Sequence, residues 1–316
     1  MGNPKILLLG GVLLDRYYEV DRYPAAGQDT LIHRAFDVVG GCCLNVAATL
    51  KNLGNDPYIV SQYSDDEAGN KIISYVKSLG VSSACMIRNV TQQTGYCLNV
   101  LSGDGERTFF TYRGCEAIFP TSVLAQVQTM NFAIAFITGY YLLNPNTAEA
   151  VLQLAGELHR KKCQVIFDPG PLVGEIAIGV LLGILSGSDW LVPNASELAI
   201  LQARLGGEKE IKDWYFAQGG RGIVEKKGSE GVEIFTPEDA FKRGGFNVNT
   251  QDTTGAGDSF VGGFIHGLVN GYPLPQAAAI ASACGAITTT FKGPHGVFAM
   301  KDVMKLIELG EENDAG

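Results

Sequence analysis

The sequence predicts an α/β fold, with a mostly parallel central sheet flanked by helices and a small β-sheet subdomain resting on it. Three observations lead there. Short β-branched or apolar runs alternate with helical periodicity, glycine closes successive helices, and two β-rich stretches break the rhythm. Strands separated by helices join one sheet through crossovers, which makes neighbouring strands parallel.

In chain order, the runs 6–9, 58–60, 132–138, 165–167, 190–192 and 223–224 have the short apolar pattern of buried strands. Between them, residues 43–53 form a helix stopped by Gly54, and residues 67–79 one stopped by Gly80. Residues 147–162 carry Ala, Val and Leu on one helical face. The first interruption is 12–37, where Tyr17, Tyr18, Val20, Ile32 and Phe36 suggest extended chain. The second is 94–101 and 107–112, joined by Ser102-Gly-Asp-Gly-Glu106 as a hairpin. The expected organisation is a large unit of residues 1–11, 38–93 and 114–316, and a small β lid of residues 12–37 and 94–113. No internal repeat or low-complexity tract stands out, and the tail 311–316 is expected to fray.

Composition narrows the function. The chain has 316 residues, 46% of them hydrophobic and 18% charged, so it can bury a large core. Its longest apolar run, near 176–185, is about half of the ~18 residues of a membrane span. A net charge of −9 argues against a nucleic-acid partner. The N-terminus shows no signal-peptide pattern, and Ile6 stands where a myristoylation motif needs Ser or Thr. Seven thinly spread cysteines, none in a C-x-x-C pair, read as reduced thiols of a cytoplasmic protein. Four histidines show no ligand spacing.

The segment that carries chemistry is Asp252-Thr-Thr-Gly-Ala-Gly-Asp258-Ser-Phe260. It leads into Phe260, Val261, Phe264, Ile265, Leu268 and Val269, an apolar stripe at helical spacing. The glycine-rich turn therefore opens a helix, whose first N–H groups and positive dipole end form an anion site. A carboxylate at Asp258 would repel a phosphate that the loop merely held. It suits a base that takes the proton of a phosphoryl acceptor. A bulky side chain at Gly257 would push the anion away and disfavour left-handed backbone.

This segment closely resembles the second signature of the ribokinase-like carbohydrate kinases, the PfkB family, and the resemblance covers nearly the whole chain. Gly40-Gly41-Cys-Cys-Leu-Asn45-Val-Ala47 is similar to the family's first signature, and Asp15 to its early sugar-holding Asp. Asn194-Ala-Ser-Glu197 looks like the Asn-x-x-Glu element near magnesium and phosphates, although the same residues form a helix capping box in any protein. Lys227, Gly228 and Gly231 fall where the family lines its nucleotide site, and Gly293 where it closes the adenine pocket. Asp252 and Thr254 resemble the place of a monovalent cation, potassium in many members. Arg113 is either an exposed charge or a substrate contact.

The resemblance implies a ribokinase-like fold and ATP-dependent phosphorylation of a hydroxymethyl-type alcohol on a sugar or sugar derivative. Asp258 would be the base, and the backbone of Gly255, Ala256 and Gly257 the anion hole. Asp15, Gly41, Asn45 and Arg113 would meet the substrate, with Tyr17, Tyr18 and Tyr112 of the lid over a ring face. Magnesium would come mainly with the nucleotide and water, with Glu197 nearby. The lid would also be the surface for a homodimer. A nucleoside kinase or a sugar-acid kinase of the same family is the alternative, with a neutral sugar the first choice. A non-catalytic binding protein is disfavoured by the intact Gly-Ala-Gly loop and Asp258. Gly10-Gly11 after the first strand lacks G-x-G-x-x-G, which excludes an NAD dehydrogenase.

Overall fold

The computed structural model describes residues 3–104, 106–205 and 210–314. Met1, Gly2 and Gly105 of the hairpin turn lie outside them, as do residues 315 and 316 of the tail. The chain order begins β1 (Lys5–Leu9), β2 (Leu13–Val20), β3 (Ile32–Gly40), α1 (Cys42–Asn52), β4 (Asp56–Ser64), α2 (Glu67–Ser78) and β5 (Met86–Asn89). There follow β6 (Tyr96–Ser102), β7 (Arg107–Tyr112), α3 (Leu124–Gln128), β8 (Ile134–Thr138), α4 (Pro145–Arg160) and β9 (Gln164–Asp168). The middle closes with α5 (Ile178–Ser186), β10 (Trp190–Leu191), α6 (Ala195–Arg204), α7 (Ile211–Ala217) and β11 (Gly222–Lys226). The last elements are β12 (Val232–Phe235), β13 (Ala240–Arg243), α8 (Ala256–Val269), α9 (Leu274–Thr288) and α10 (Met300–Asp314). The tail from 311, expected to fray, continues α10 as far as Asp314.

The described residues form a nine-stranded sheet in the order β13-β12-β11-β10-β9-β8-β1-β4-β5. Its strands are parallel from β5 to β11, and only the β11–β12–β13 edge is antiparallel. Helices cover both faces. On one side Ile6, Leu8, Ile166 and Val224 pack with Leu44, Val46, Phe260, Val261 and Phe264 of α1 and α8. On the other, Leu7, Leu9, Phe167 and Ile223 pack with Val151, Leu154, Leu181 and Ile184 of α4 and α5. Alternate residues of each strand thus go to opposite cores, as the two-residue period requires.

A second sheet of four strands runs β3-β2-β6-β7, with β6–β7 as the antiparallel hairpin and β2–β6 parallel. It takes in β3 to Gly40, past the boundary expected at residue 37. The parallel strand ends of the large sheet meet this small sheet and the start of α8. Open α/β sheets place ligands at such carboxyl ends.

Candidate active site

The start of α8 is shaped by Gly255, which caps the helix with φ +73°, a left-handed conformation that glycine adopts without strain. A Cβ there would collide with the carbonyl oxygen of Pro294, so no other residue fits. The helix begins at Ala256 and places Asp258 in its first turn. The N–H of Ala256 donates to Thr253 over 3.3 Å, a long turn contact that leaves Ala256 less free for an anion than expected. Gly257 corrects a second expectation. Its backbone is helical rather than left-handed, and a Cβ would meet only the Lys226 ammonium, 3.9 Å away.

Asp258 faces α1 across the same turn. Asn45 Nδ2 donates to its Oδ2 at 2.7 Å. Burial first, and then the charges of Asp168 and Asp15, push the Asp258 carboxyl up to about 7, against the lowering effects of Asn45 and Lys226. That value suits a general base near neutral pH. Gly41 caps α1 with φ +95°, where a Cβ would press on the Gly11 carbonyl. The close turn brings Asn45 to Asp258.

Asp15 lies on β2, 7% exposed, packed against Gly40. Asn99 Nδ2 donates to its Oδ1 at 3.1 Å. Burial and the nearby Asp252 push the Asp15 carboxyl up to about 6, with the Asn99 bond opposing them. The carboxamide oxygens of Asn45 and Asn99 are buried with no hydrogen-bond partner among the described residues. Two open acceptors beside two carboxylates match a ligand rich in hydroxyl groups. A small cavity of about 50 Å³ lies under the lid here, lined by Tyr17, Phe36, Asn99, Asp252 and Lys292 among others.

The lid tyrosines divide between two faces. Tyr17 shares the register of Asn99 and stacks on Phe36 with centroids 4.9 Å apart, on the Asp15 side. Tyr96 and Tyr112 pair with each other and with Leu14, which puts them on the opposite face, as it does Tyr18. They do not cover the Asp15 cleft, because adjacent strand residues point to opposite sides.

On the other side of the α8 turn is a cavity of about 340 Å³. Gly228, Gly231, Ala256, Gly257, Phe246 and Phe260 are in its wall. Its size falls within the usual range for small-molecule sites. Ser282 Oγ, in the same wall, is buried with no hydrogen-bond partner among the described residues. Small residues, two aromatic rings, one open hydroxyl and a helix start suit a nucleotide.

Several expected nucleotide contacts lie elsewhere. Lys227 points away, its ammonium 2.7 Å from Glu233 and 3.7 Å from Glu225. The lysine in the cavity wall is Lys226, whose Nζ bonds Asp168 Oδ2 at 2.6 Å. Strand alternation is the reason: Lys226 shares the α8-facing side of β11 with Val224, and Lys227 takes the other. The alternation is visible in the sequence, but which of the two faces turns to α8 is set by packing. Gly293 is not in the cavity wall; its N–H donates to Asp252 Oδ2 at 3.0 Å. Asp252 Oδ1 accepts the Thr254 N–H at 2.8 Å, so this carboxylate organises the loop leading to α8. Asn194 and Glu197 form a complete capping box at the start of α6, outside the cavity wall. Asn194 bridges to Lys226 through the backbone, and Glu197 is pushed up by burial and by Asp168.

Sequence reasoning also missed Asp168, at the carboxyl end of β9, and Tyr140, just after β8. Burial raises the Tyr140 phenol, with the charges of Cys42, Asp258 and Asp168 adding to it. Arg113 does reach this neighbourhood, but its guanidinium donates to the carbonyls of Tyr140 at 3.1 Å and Ala117 at 3.4 Å. All seven cysteines are unpaired, with only Cys42 partly exposed. Among the described residues no cluster of three or more acidic, His or Cys side chains could hold a metal, and no helix is long and apolar enough to cross a membrane.

Comparison with known proteins shows the family. The model of the pfkB family carbohydrate kinases matches residues 3–297. The ATP-dependent ribose-1-phosphate kinase of Halopiger xanaduensis is 31% identical over 290 residues, 92% of this chain and 93% of that protein. Fructokinase-2 of rice (Oryza sativa subsp. japonica) is 28% identical over 270 residues, 80% of each chain. The structure of Arabidopsis thaliana ribokinase complexed with ribose and ATP superposes with a TM-score of 0.80 at 24% identity, covering 98% of this chain and 99% of that one. The last likeness speaks for the fold.

Proposed function

The chain belongs to the pfkB family of carbohydrate kinases, and from that premise we propose that it transfers the γ-phosphoryl group of ATP to a hydroxymethyl-type alcohol of a sugar or sugar derivative. Kinases of this family use ATP, typically with Mg²⁺. The observation that carries the reading is Asp258. It stands on the turn that separates the cleft of Asp15 and Asn45 from the 340 Å³ cavity, with its carboxyl pushed up to about 7.

The steps follow from the residues. Asp15, Asn99 and Asn45 hold the acceptor through its hydroxyl groups, with Gly41 giving the close turn. Asp258 takes the proton of the reacting hydroxyl as its oxygen bonds to the γ-phosphorus; the bond to the bridging oxygen breaks, and ADP leaves. The N–H groups of Gly255, Ala256 and Gly257 would face the charge that develops on the transferred group, with that of Ala256 partly engaged by Thr253. Gly228 and Gly231 line the ATP cavity. Glu197 would stand near a magnesium ion that arrives on the nucleotide with most of its waters. That ion would neutralise phosphate charge.

A neutral sugar is favoured over a sugar acid, because the Arg113 guanidinium is engaged by two backbone carbonyls. Relatives named for ribose 1-phosphate and fructose support a sugar or sugar phosphate over a nucleoside. Potassium beside Asp252 and Thr254 is part of the proposal, as is a homodimer through the lid, whose Phe109 and Phe110 are exposed. The small sheet would be the lid that excludes water over the acceptor. Seven unpaired thiols favour a cytoplasmic setting. The test is ADP formation with magnesium ATP against a panel of sugars, sugar phosphates, sugar acids and nucleosides. Turnover confined to nucleosides, or absent throughout, would overturn the reading.

A further inference from the structure

We propose that Lys226 is a catalytic residue of this kinase: its ammonium is held by Asp168 in the free protein and binds the transferring phosphoryl group when the nucleotide enters. The inference rests on the kinase reading and adds to it a group outside the loop that carries the family signature. Three observations converge on this lysine.

The first is position. Lys226 is in the wall of the 340 Å³ cavity, and its Nζ lies 3.9 Å from where a Cβ on Gly257 would be, beside the first turn of α8. An anion seated on that turn therefore comes within reach of the ammonium. The second is charge. Asp168, Glu197 and Asp258 all act on Lys226, which places three carboxylates around the path of a polyphosphate. A helix start contributes only about half an elementary charge. Without Lys226 the site would repel the group it has to receive; with it, a mobile cation faces the developing charge in a low-dielectric setting.

The third is the anchor. Lys226 Nζ bonds Asp168 Oδ2 at 2.6 Å, while the other Asp168 oxygen accepts the Gly170 N–H at 3.1 Å. The ion pair therefore has a fixed end and a flexible end. Asp168 is tied to its own loop, whereas the lysine has a four-carbon stem and three donors, two of them available to phosphate oxygens. Backbone pairing of Lys226 with Pro193 and Asn194 fixes where that stem starts.

A purely structural role, neutralising Asp168, makes a different forecast, and a charge-deletion cycle separates the two. The variants are Lys226→Met, Asp168→Asn and the double substitution, each assayed for kcat, acceptor KM and melting temperature with the sugar that the wild type turns over. Removing one preorganised charge donor from a transition state costs about 10²–10³ in kcat. We expect that loss in Lys226→Met and in the double variant, with acceptor KM within about threefold, and a loss under about tenfold in Asp168→Asn. The double variant leaves no lone member of the Asp168–Lys226 pair and should recover part of the melting temperature that Lys226→Met loses. A stable double variant with near-wild-type kcat would overturn the proposal, as would equal losses in all three proteins. The kinase reading fails on other results: a wild type inert toward every sugar, or full turnover by an Asp258→Asn variant.

Discussion

Replacing Asp258 with asparagine keeps the side chain's shape and its ability to accept from Asn45, yet removes the charge. Activity and stability should then move in opposite directions. In the unfolded chain the carboxyl titrates near 3.8, and in the folded protein near 7. Below pH 3.8 it is protonated in both states and costs nothing. Between the two values the folded state holds more protons than the unfolded one, so stability falls as pH rises. Above about 7 the full cost is present. The gap of roughly three pKa units, at about 1.36 kcal/mol each, is of order 4 kcal/mol, an upper limit because the carboxylate keeps some access to the cleft. The variant should therefore melt above the wild type at pH 8, and the difference should vanish toward pH 4. Its kcat should fall by about 10²–10⁴, the range for a positioned base, while ATP binding persists. In the wild type kcat should rise with pH through about 7. Melting curves at three pH values and steady-state rates check both halves. An Asp258→Asn protein no more stable than the wild type at pH 8, or one with normal turnover, would refute the reasoning.

Gly255→Ala should unfold the anion loop or abolish turnover, since left-handed backbone costs about 1–2 kcal/mol before the collision with Pro294 is counted; Gly257→Ala should keep a normal melting temperature and be read out by weaker binding of an ATP analogue in calorimetry. Asp15→Ala should lower kcat/KM for the acceptor by about tenfold to a few hundredfold, the value of roughly 1.5–3 kcal/mol of charged hydrogen bonding, and leave ATP affinity nearly unchanged; Arg113→Ala should matter little for a neutral sugar. Rates in potassium should exceed those in sodium or a bulky organic cation at matched ionic strength, and equal rates would remove the cation from the Asp252 loop.

What the sequence determined by itself is local. The Asp252–Phe260 segment specifies a tight turn and a helix start, because glycine conformations, first-turn N–H groups and an apolar stripe act over a few residues. Asn194 and Glu197 form their capping box for the same reason, and the β6–β7 hairpin follows from its turn. The tertiary structure decided which side chains meet. Asn45 and Asp258 are 213 residues apart and bond only because α1 and α8 pack on one face of the sheet. Lys226 rather than Lys227 enters the cavity because strand parity is tied to which core Val224 joins. Asp168 reaches Lys226 across β10, a separation set by strand order. The lid tyrosines divide between two faces by the register of β2, β6 and β7. Gly293 joins Asp252 instead of the nucleotide cavity because the segment after α9 folds back over the anion loop. Contacts within a turn are governed by sterics and hydrogen bonds between neighbours in sequence, whereas contacts across the site depend on how buried faces are matched over the whole sheet.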